Sequence, residues 1–209
     1  MDLFSQIEEY EDRKFEIISL KDGEVWYMKH FLKQNEADYY FKILKETIHW
    51  KQEEKLYYGN WYPVPRETAW YGNSGARYFY SGKSYNPEQW TKELMNLKME
   101  IESFLPEQDF NSVLLNLYRN GNDKVSWHAD DEKELGVNAT IASLSLGAAR
   151  RFDLKHKQIP GLQRKFELTS GSLLIMRGEL QHHWLHQVPA QKKVLQPRIN
   201  LTFRKIYTQ

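Results

Sequence analysis

The chain has 209 residues, 41% hydrophobic and 14% aromatic, which is enough for the core of one domain and too apolar for a disordered segment. It contains no cysteine, so disulfides and thiolate-held metals are excluded and any metal must rest on His, Asp or Glu. The net charge of +1 conceals an asymmetry: residues 150–209 carry 12 Lys/Arg against 3 Asp/Glu, a basic block that fits a polyanionic partner as readily as a solvated face.

The first residues, from Met1 to Glu9, are acidic and lack the charged-then-apolar layout of a secretory signal, and no apolar run approaches the roughly 18 residues a membrane span needs. The expectation is a soluble intracellular monomer, cytoplasmic or nuclear, with no membrane partner. Ala37, Tyr40, Phe41, Leu44 and Ile48 recur at helical spacing and predict a first amphipathic helix. Between residues 57 and 80 the chain is crowded with rings separated by Gly and Pro, including Tyr57, Tyr58, Trp61, Tyr62, Trp70, Tyr71, Tyr78 and Tyr80. Such rings either pack a sheet edge or offer stacking platforms for nucleobases. A second helical stripe, Trp90, Leu94, Leu97, Ile101 and Phe104, follows Asn86-Pro87-Glu88-Gln89, which reads as an N-cap, a first-turn proline and a capping-box glutamine.

From Asn111 onward the period falls to two, predicting strands over residues 112–118, 139–146, 151–155, 172–176 and 198–205. Asn120-Gly121-Asn122-Asp123, Gly147, Pro160-Gly161 and Ser170-Gly171 punctuate them. Many short strands with even punctuation predict an α+β protein: an antiparallel sandwich or jelly roll, with the two helices covering one sheet from outside.

Trp127-His128-Ala129-Asp130 sets an imidazole and a carboxylate two residues apart, so on an extended segment both face one way and can share a metal ion. Alone, the pair says little, because His-x-Asp is common. A third ligand is available from His182, His183 or His186, and the residues by themselves leave that choice open. Two His and one carboxylate form the facial triad of non-haem iron, which keeps three octahedral positions open as an oxygenase requires. Near the end, Arg198, Asn200, Thr202 and Arg204 share one face of a strand and Ile199, Leu201 and Phe203 the other. An edge strand with its polar face in water has the same pattern. Asn116 and Tyr118 repeat the device in a more apolar strand, which suits a lined cavity or a pair satisfied by backbone. A His/Asp zinc hydrolase would use the same ligands and leave the two arginines without a task.

Asn116-x-Tyr118, His128-x-Asp130, His186 and Arg198-x5-Arg204, in that order, resemble the signature of the AlkB family of Fe(II)/2-oxoglutarate-dependent dioxygenases. Residues 110–120, 127–132, 141–148 and 197–204 extend the likeness to the subgroup of animal DNA and RNA dealkylases, and it runs from about Pro65 to Ile206. The resemblance implies a double-stranded β-helix, or jelly roll, with N-terminal helices packed on one sheet. It implies oxidative dealkylation of N-alkylated bases in DNA, with RNA as an alternative, using Fe(II), 2-oxoglutarate and O2 and releasing succinate, CO2 and aldehyde. On it, His128, Asp130 and His186 match the iron ligands, His186 being chosen by its place before x-Val188-Pro189. Arg198 and Arg204 match the residues that bind 2-oxoglutarate, aided by Asn116, Tyr118 and Asn200. Tyr57, Tyr58, Arg66, Tyr78, Tyr80 and Asp131 fall on the side of the base, Asp131 as an acceptor for an exocyclic amino group. The implied layout is one domain over 1–209, with an N-terminal extension and nucleotide-recognition lid over 1–84 and the helix and jelly-roll core over 85–209. The alternatives are an oxygenase of the same fold acting on RNA, protein or a small molecule, and a catalytically silent nucleic-acid-binding module.

Overall fold

The computed structural model describes residues 13–57, 59–76, 78–80 and 83–207, with only the backbone described at 57, 78–80 and 83–85. In chain order its first elements are β1 (Glu16–Leu20), β2 (Gly23–Met28), α1 (Gln34–Thr47), β3 (Glu54–Tyr57), β4 (Asn60–Pro63), β5 (Glu67–Gly72), β6 (Tyr78–Tyr80), β7 (Lys83–Tyr85) and α2 (Lys92–Ser103). Then come β8 (Ser112–Tyr118), β9 (Val125–His128), β10 (Ile141–Gly147), β11 (Arg150–His156), β12 (Gln163–Leu168), β13 (Leu173–Arg177), the single turn α3 (Leu180–His183), β14 (Trp184–Val188) and β15 (Arg198–Arg204).

Strand β15 shows why the sequence folds this way. Its alternation does not come from an edge: it pairs antiparallel with β10 on one side and β8 on the other, in the middle of a seven-stranded sheet of order β1-β2-β13-β10-β15-β8-β5. Ile199, Leu201 and Phe203 point to the outer face, where Leu144, Leu146 and Leu115 join Leu44 of α1 and Leu94, Leu97 and Ile101 of α2 in one buried cluster. The opposite face meets a second antiparallel sheet of order β12-β11-β14-β9, through Ile141, Leu174 and Met176 against Phe152, Leu154 and Trp184. Two facing antiparallel sheets with helices outside the larger one make the expected jelly roll. The segment expected as an N-terminal extension is woven into the larger sheet by β1, β2 and β5, and it also carries the separate hairpins β3–β4 and β6–β7.

The start of the second helix differs from its expectation. Asn86 is not the N-cap; α2 begins five residues beyond Pro87, and Thr91 caps it by accepting the Leu94 N–H at 3.2 Å. Backbone pairing wins over the local signal, because Glu88 exchanges hydrogen bonds with Gly72 and Trp70 of β5, at 2.9 Å each. Trp90 lies ahead of the helix and stacks on Phe203. Gly147 ends β10 at φ +84°, and a Cβ there would lie 2.6 Å from the Phe41 ring and from the Pro197 carbonyl. That contact seats α1 against the start of β15.

Candidate active site

Towards β9 and β14 the inner face of the larger sheet turns polar, with Ser143, Ser145, Asn116, Asn200, Thr202 and Arg198 all buried. These groups hold one another. Asn200 donates Nδ2–H to Ser143 Oγ (2.8 Å) and the Leu144 carbonyl (3.1 Å), and Thr202 donates to Asn200 Oδ1 (3.1 Å). Asn116, Ser143, Asn200 and Thr202 floor a cleft of about 480 Å³ counted out to its mouth.

Opposite them, His128 and His186 are register partners on β9 and β14, with ring centroids 4.2 Å apart. Asp130 sits two residues past the strand end, and the ligand atoms of His128, Asp130 and His186 all lie within 4.8 Å of one another. His128 Nδ1 lies 2.8 Å from the Ser126 carbonyl, which only accepts, so the proton belongs on Nδ1 and the Nε2 lone pair is left for the cluster. Arg204 Nη2 donates to Asp130 Oδ2 at 2.6 Å, and the Asp130 N–H donates to Gln181 Oε1 at 3.0 Å. Burial pushes the Asp130 carboxyl up, but Arg204, His186 and His128 together outweigh it and hold the group well below the usual carboxylate range. Burial, reinforced by His128, pushes the His186 imidazole down to about 3. A neutral imidazole and an ionised carboxylate are the protonation states a metal ion needs.

A second group, Asp22, His156 and His183, is equally compact. It does not suit a metal. The backbone N–H groups of Gln158 and Ile159 both donate to His156 Nδ1, at 3.2 and 3.1 Å, which puts the ring proton on Nε2, where it faces Asp22 at 3.2 Å. With Nε2 protonated, His156 has no lone pair to give.

At the inner end of the polar face lies Arg198, 1% exposed. Its Nη2 donates to Ser145 Oγ at 2.9 Å and its guanidinium lies 5.2 Å from the Tyr118 ring, while Nε and Nη1 are buried with no hydrogen-bond partner among the described residues. Burial lowers its pKa to about 10. A buried guanidinium with two unused donors is unfavourable by itself, and its planar fork has the chemistry to take a carboxylate.

The model of the 2OG-Fe(II) oxygenase superfamily matches residues 24–204. Over 181 residues the chain is 39% identical to the DNA oxidative demethylase ALKBH2 of Homo sapiens, covering 82% of this chain and 69% of that protein. This chain belongs to the AlkB family of Fe(II)/2-oxoglutarate dioxygenases. It is also 42% identical over 186 residues to the alpha-ketoglutarate-dependent dioxygenase alkB homolog 3 of Bos taurus, covering 85% of this chain and 64% of that protein. It spans about two thirds of the length of the curated relatives it matches, for example 65% of the Bos taurus ALKBH2. The structure of OsALKBH1 shares the fold, with a TM-score of 0.59 at 18% identity, covering 91% of this chain and all of that one. The AlkB cofactors, Fe(II) and 2-oxoglutarate, fit the residues present: a His-Asp-His donor set in the right protonation states, and a buried arginine with two unpartnered nitrogens.

Among the three histidines left open by the sequence, the structure brings only His186 to His128 and Asp130; His183 stacks on His156, and His182 is exposed. Asn116, Tyr118, Asn200 and Arg204 line the cleft, and so does Arg66. Asp131 is not brought in: it pairs with Lys157 at 3.2 Å and its side chain is half exposed. Tyr58 and the side chains of Tyr57, Tyr78 and Tyr80 lie outside the described residues. Sequence reasoning missed Gln181, which anchors the Asp130 backbone, and Ser143 and Ser145, whose alternation in β10 was the available signal.

No helix among the described residues is long and apolar enough to cross a membrane.

Proposed function

We propose that this chain removes alkyl groups from base nitrogens in DNA by oxidation, holding Fe(II) with His128, Asp130 and His186 and 2-oxoglutarate with Arg198, Arg204, Asn116 and Tyr118, on a floor that Asn200 braces through Ser143 and Thr202. One observation carries the reading: a compact His-Asp-His cluster lines one cleft with Asn116, Tyr118 and Arg204, and the strand that carries Arg204 also carries Arg198, a buried guanidinium whose Nε and Nη1 have no hydrogen-bond partner among the described residues. When bound, Fe(II) with 2-oxoglutarate and O2 supplies oxidation of the C–H bond next to the base nitrogen, releasing succinate and CO2 and freeing the alkyl carbon as an aldehyde.

The chain's own work is binding, orientation and water exclusion. Arg198 offers a planar fork to a carboxylate, a geometry that lysine cannot reproduce. Arg204 keeps Asp130 ionised through its 2.6 Å bond and fixes where that carboxylate points. Phe152, with its ring 5.4 Å from that of His186, walls the site with Val125 and Val188 and limits water access.

Two relatives at about 40% identity bear names describing DNA demethylation or 2-oxoglutarate-dependent dioxygenation, which supports the same reaction here. Leu56, Trp61 and Tyr62 are exposed on the hairpin β3–β4, and together with the basic residues of 150–209 they support a nucleic-acid substrate. In this reading residues 1–84 carry base recognition, with Tyr57, Tyr58, Arg66, Tyr78 and Tyr80 on that side, and residues 85–209 carry metal and cosubstrate. The test is a panel of alkylated single- and double-stranded DNA and RNA oligonucleotides incubated with the chain, Fe(II), 2-oxoglutarate and O2 and read by mass spectrometry. Loss of the alkyl mass from DNA with matching succinate is the expected result. Turnover on RNA alone, or succinate formation that no oligonucleotide stimulates, would overturn the DNA assignment.

A further inference from the structure

The two ends of an asparagine amide are not interchangeable beside a cosubstrate made of carboxylates and a keto group. Such a ligand presents acceptors, so an asparagine can serve it only through Nδ2. Asn116 lies on β8 with Asn200 of β15 and Thr68 of β5 as its register partners, is 6% exposed, and lines the cleft. One contact fixes its orientation. Arg66 Nε donates to Asn116 Oδ1 at 2.6 Å. A guanidinium carries donors and no acceptor, so the reverse orientation would set N–H against N–H. With Oδ1 held by Arg66, Nδ2 is the end left for the cleft, and no described residue receives it.

Arg66 is itself held in place. Gln52 Nε2 donates to the carbonyls of Val64 (2.6 Å) and Arg66 (3.1 Å), and Arg119 Nη1 donates to Gln52 Oε1 at 3.1 Å. Arg119 in turn grips Asp123 through Nε and Nη2, at 2.8 and 2.9 Å. The short segment between β4 and β5 is thereby tied to the loop that follows β8, the strand carrying Asn116.

We propose that Arg66 is a positioning residue for the cosubstrate: it sets the Asn116 amide so that Nδ2 points to 2-oxoglutarate. This rests on reading the cleft as a 2-oxoglutarate site, and it gives Arg66 a task that needs no nucleic acid. The experiment is calorimetric titration of 2-oxoglutarate into the full chain loaded with Mn(II), without oligonucleotide, for wild type, Arg66→Ala, Asn116→Ala and the double variant. Each single variant is expected to weaken 2-oxoglutarate about ten- to a hundredfold, the loss of one hydrogen bond to a charged group. The double variant should bind no more weakly than Asn116→Ala, with Mn(II) affinity and melting temperature unchanged throughout. Wild-type affinity in Arg66→Ala, or losses that multiply in the double variant, would overturn the inference while leaving the cleft a 2-oxoglutarate site. Failure of the wild-type chain to bind 2-oxoglutarate would overturn the reading of the cleft and this inference with it.

Discussion

Replacing Arg198 by Met should make the cosubstrate-free protein more stable and unable to bind 2-oxoglutarate. In the free protein a charged guanidinium is held at 1% exposure by one hydrogen bond to Ser145 and the face of Tyr118. Burial depresses its pKa from 12.5 to about 10, which corresponds to roughly 3 kcal/mol against the charged form. Methionine removes that cost and buries an apolar chain of similar length, while losing the Ser145 bond and the ring contact, about 1 kcal/mol each. The net expectation is a gain of about 1–3 kcal/mol. At about 2–4 °C per kcal/mol for a domain of this size, the melting temperature should rise by roughly 2–12 °C. The assay is thermal melting by circular dichroism with Mn(II), with and without 2-oxoglutarate. At about a hundred times its Kd the cosubstrate should add about 2.7 kcal/mol to the wild type and nothing to Arg198→Met. A variant that melts several degrees below the wild type, or one that 2-oxoglutarate still stabilises, would refute the reasoning.

Arg150→Met should have the opposite sign, lowering stability by about 3–5 kcal/mol in urea titration, because it strips the buried carbonyls of Asn120, Asp123 and Pro189 and the Gln191 side chain of their guanidinium donor; a neutral result would show those bonds to be dispensable. In the metal-free protein, His186 keeps a folded pKa of about 3 against an ordinary value of 6.5, so only the unfolded chain takes up this proton as the pH falls below about 6.5. The stability tied to this group is complete above that pH and is lost at about 1.4 kcal/mol per unit as the pH drops towards 3. Urea midpoints between pH 6.5 and 5 should therefore fall less steeply in His186→Gln, and parallel slopes would remove His186 as the source. His128→Ala should abolish Mn(II) binding in calorimetry while His182→Ala retains it, and the reverse order would exchange the ligand.

Where a strand's two faces meet different surroundings, its sequence declares both. Residues 198–204 alternate because one face lies under the helices and the other floors the cleft, and Ser112–Tyr118 was bounded to the residue for the same reason. The ligand histidine was harder to read. His182 and His186 are four apart and would share a face of a continuous strand, but one helical turn ends at His183 and β14 starts at Trp184. That break resets the parity, so Trp184, His186 and Val188 point inward. Strands β1 and β2 went unread because they close the edge of the sheet with mixed burial, which blurs the period. Asp131 misled because neighbouring positions in sequence need not share a direction beyond a strand end, and Lys157 draws it away from the cleft.

Two arginines, both buried and both within about 6 Å of one ring, differ in how many of their donors the protein fills. Arg150 and Arg198 are each 1% exposed and lie 5.5 and 5.2 Å from the centre of the Tyr118 ring, and burial lowers the pKa of both. Neither has a carboxylate on its guanidinium among the described residues. Arg150 nevertheless places all three of its nitrogens, donating to the carbonyls of Asn120 (3.1 Å), Asp123 (2.7 Å) and Pro189 (2.8 Å) and to Gln191 Oε1 (3.3 Å). It thereby ties the loop after β8 to the loop after β14, where Gly121 passes so close to the Gln191 carbonyl that a Cβ would collide with it. Arg198 places one nitrogen of three. A protein left to maximise its own stability would have no reason to bury the second in that state, because the desolvation cost is borne in full and only a fraction of the bonds is returned. The dianion proposed above as its ligand would fill the two open donors. Charge and burial describe both arginines alike, and it is the count of unfilled donors that distinguishes a group holding the fold from one waiting for a ligand.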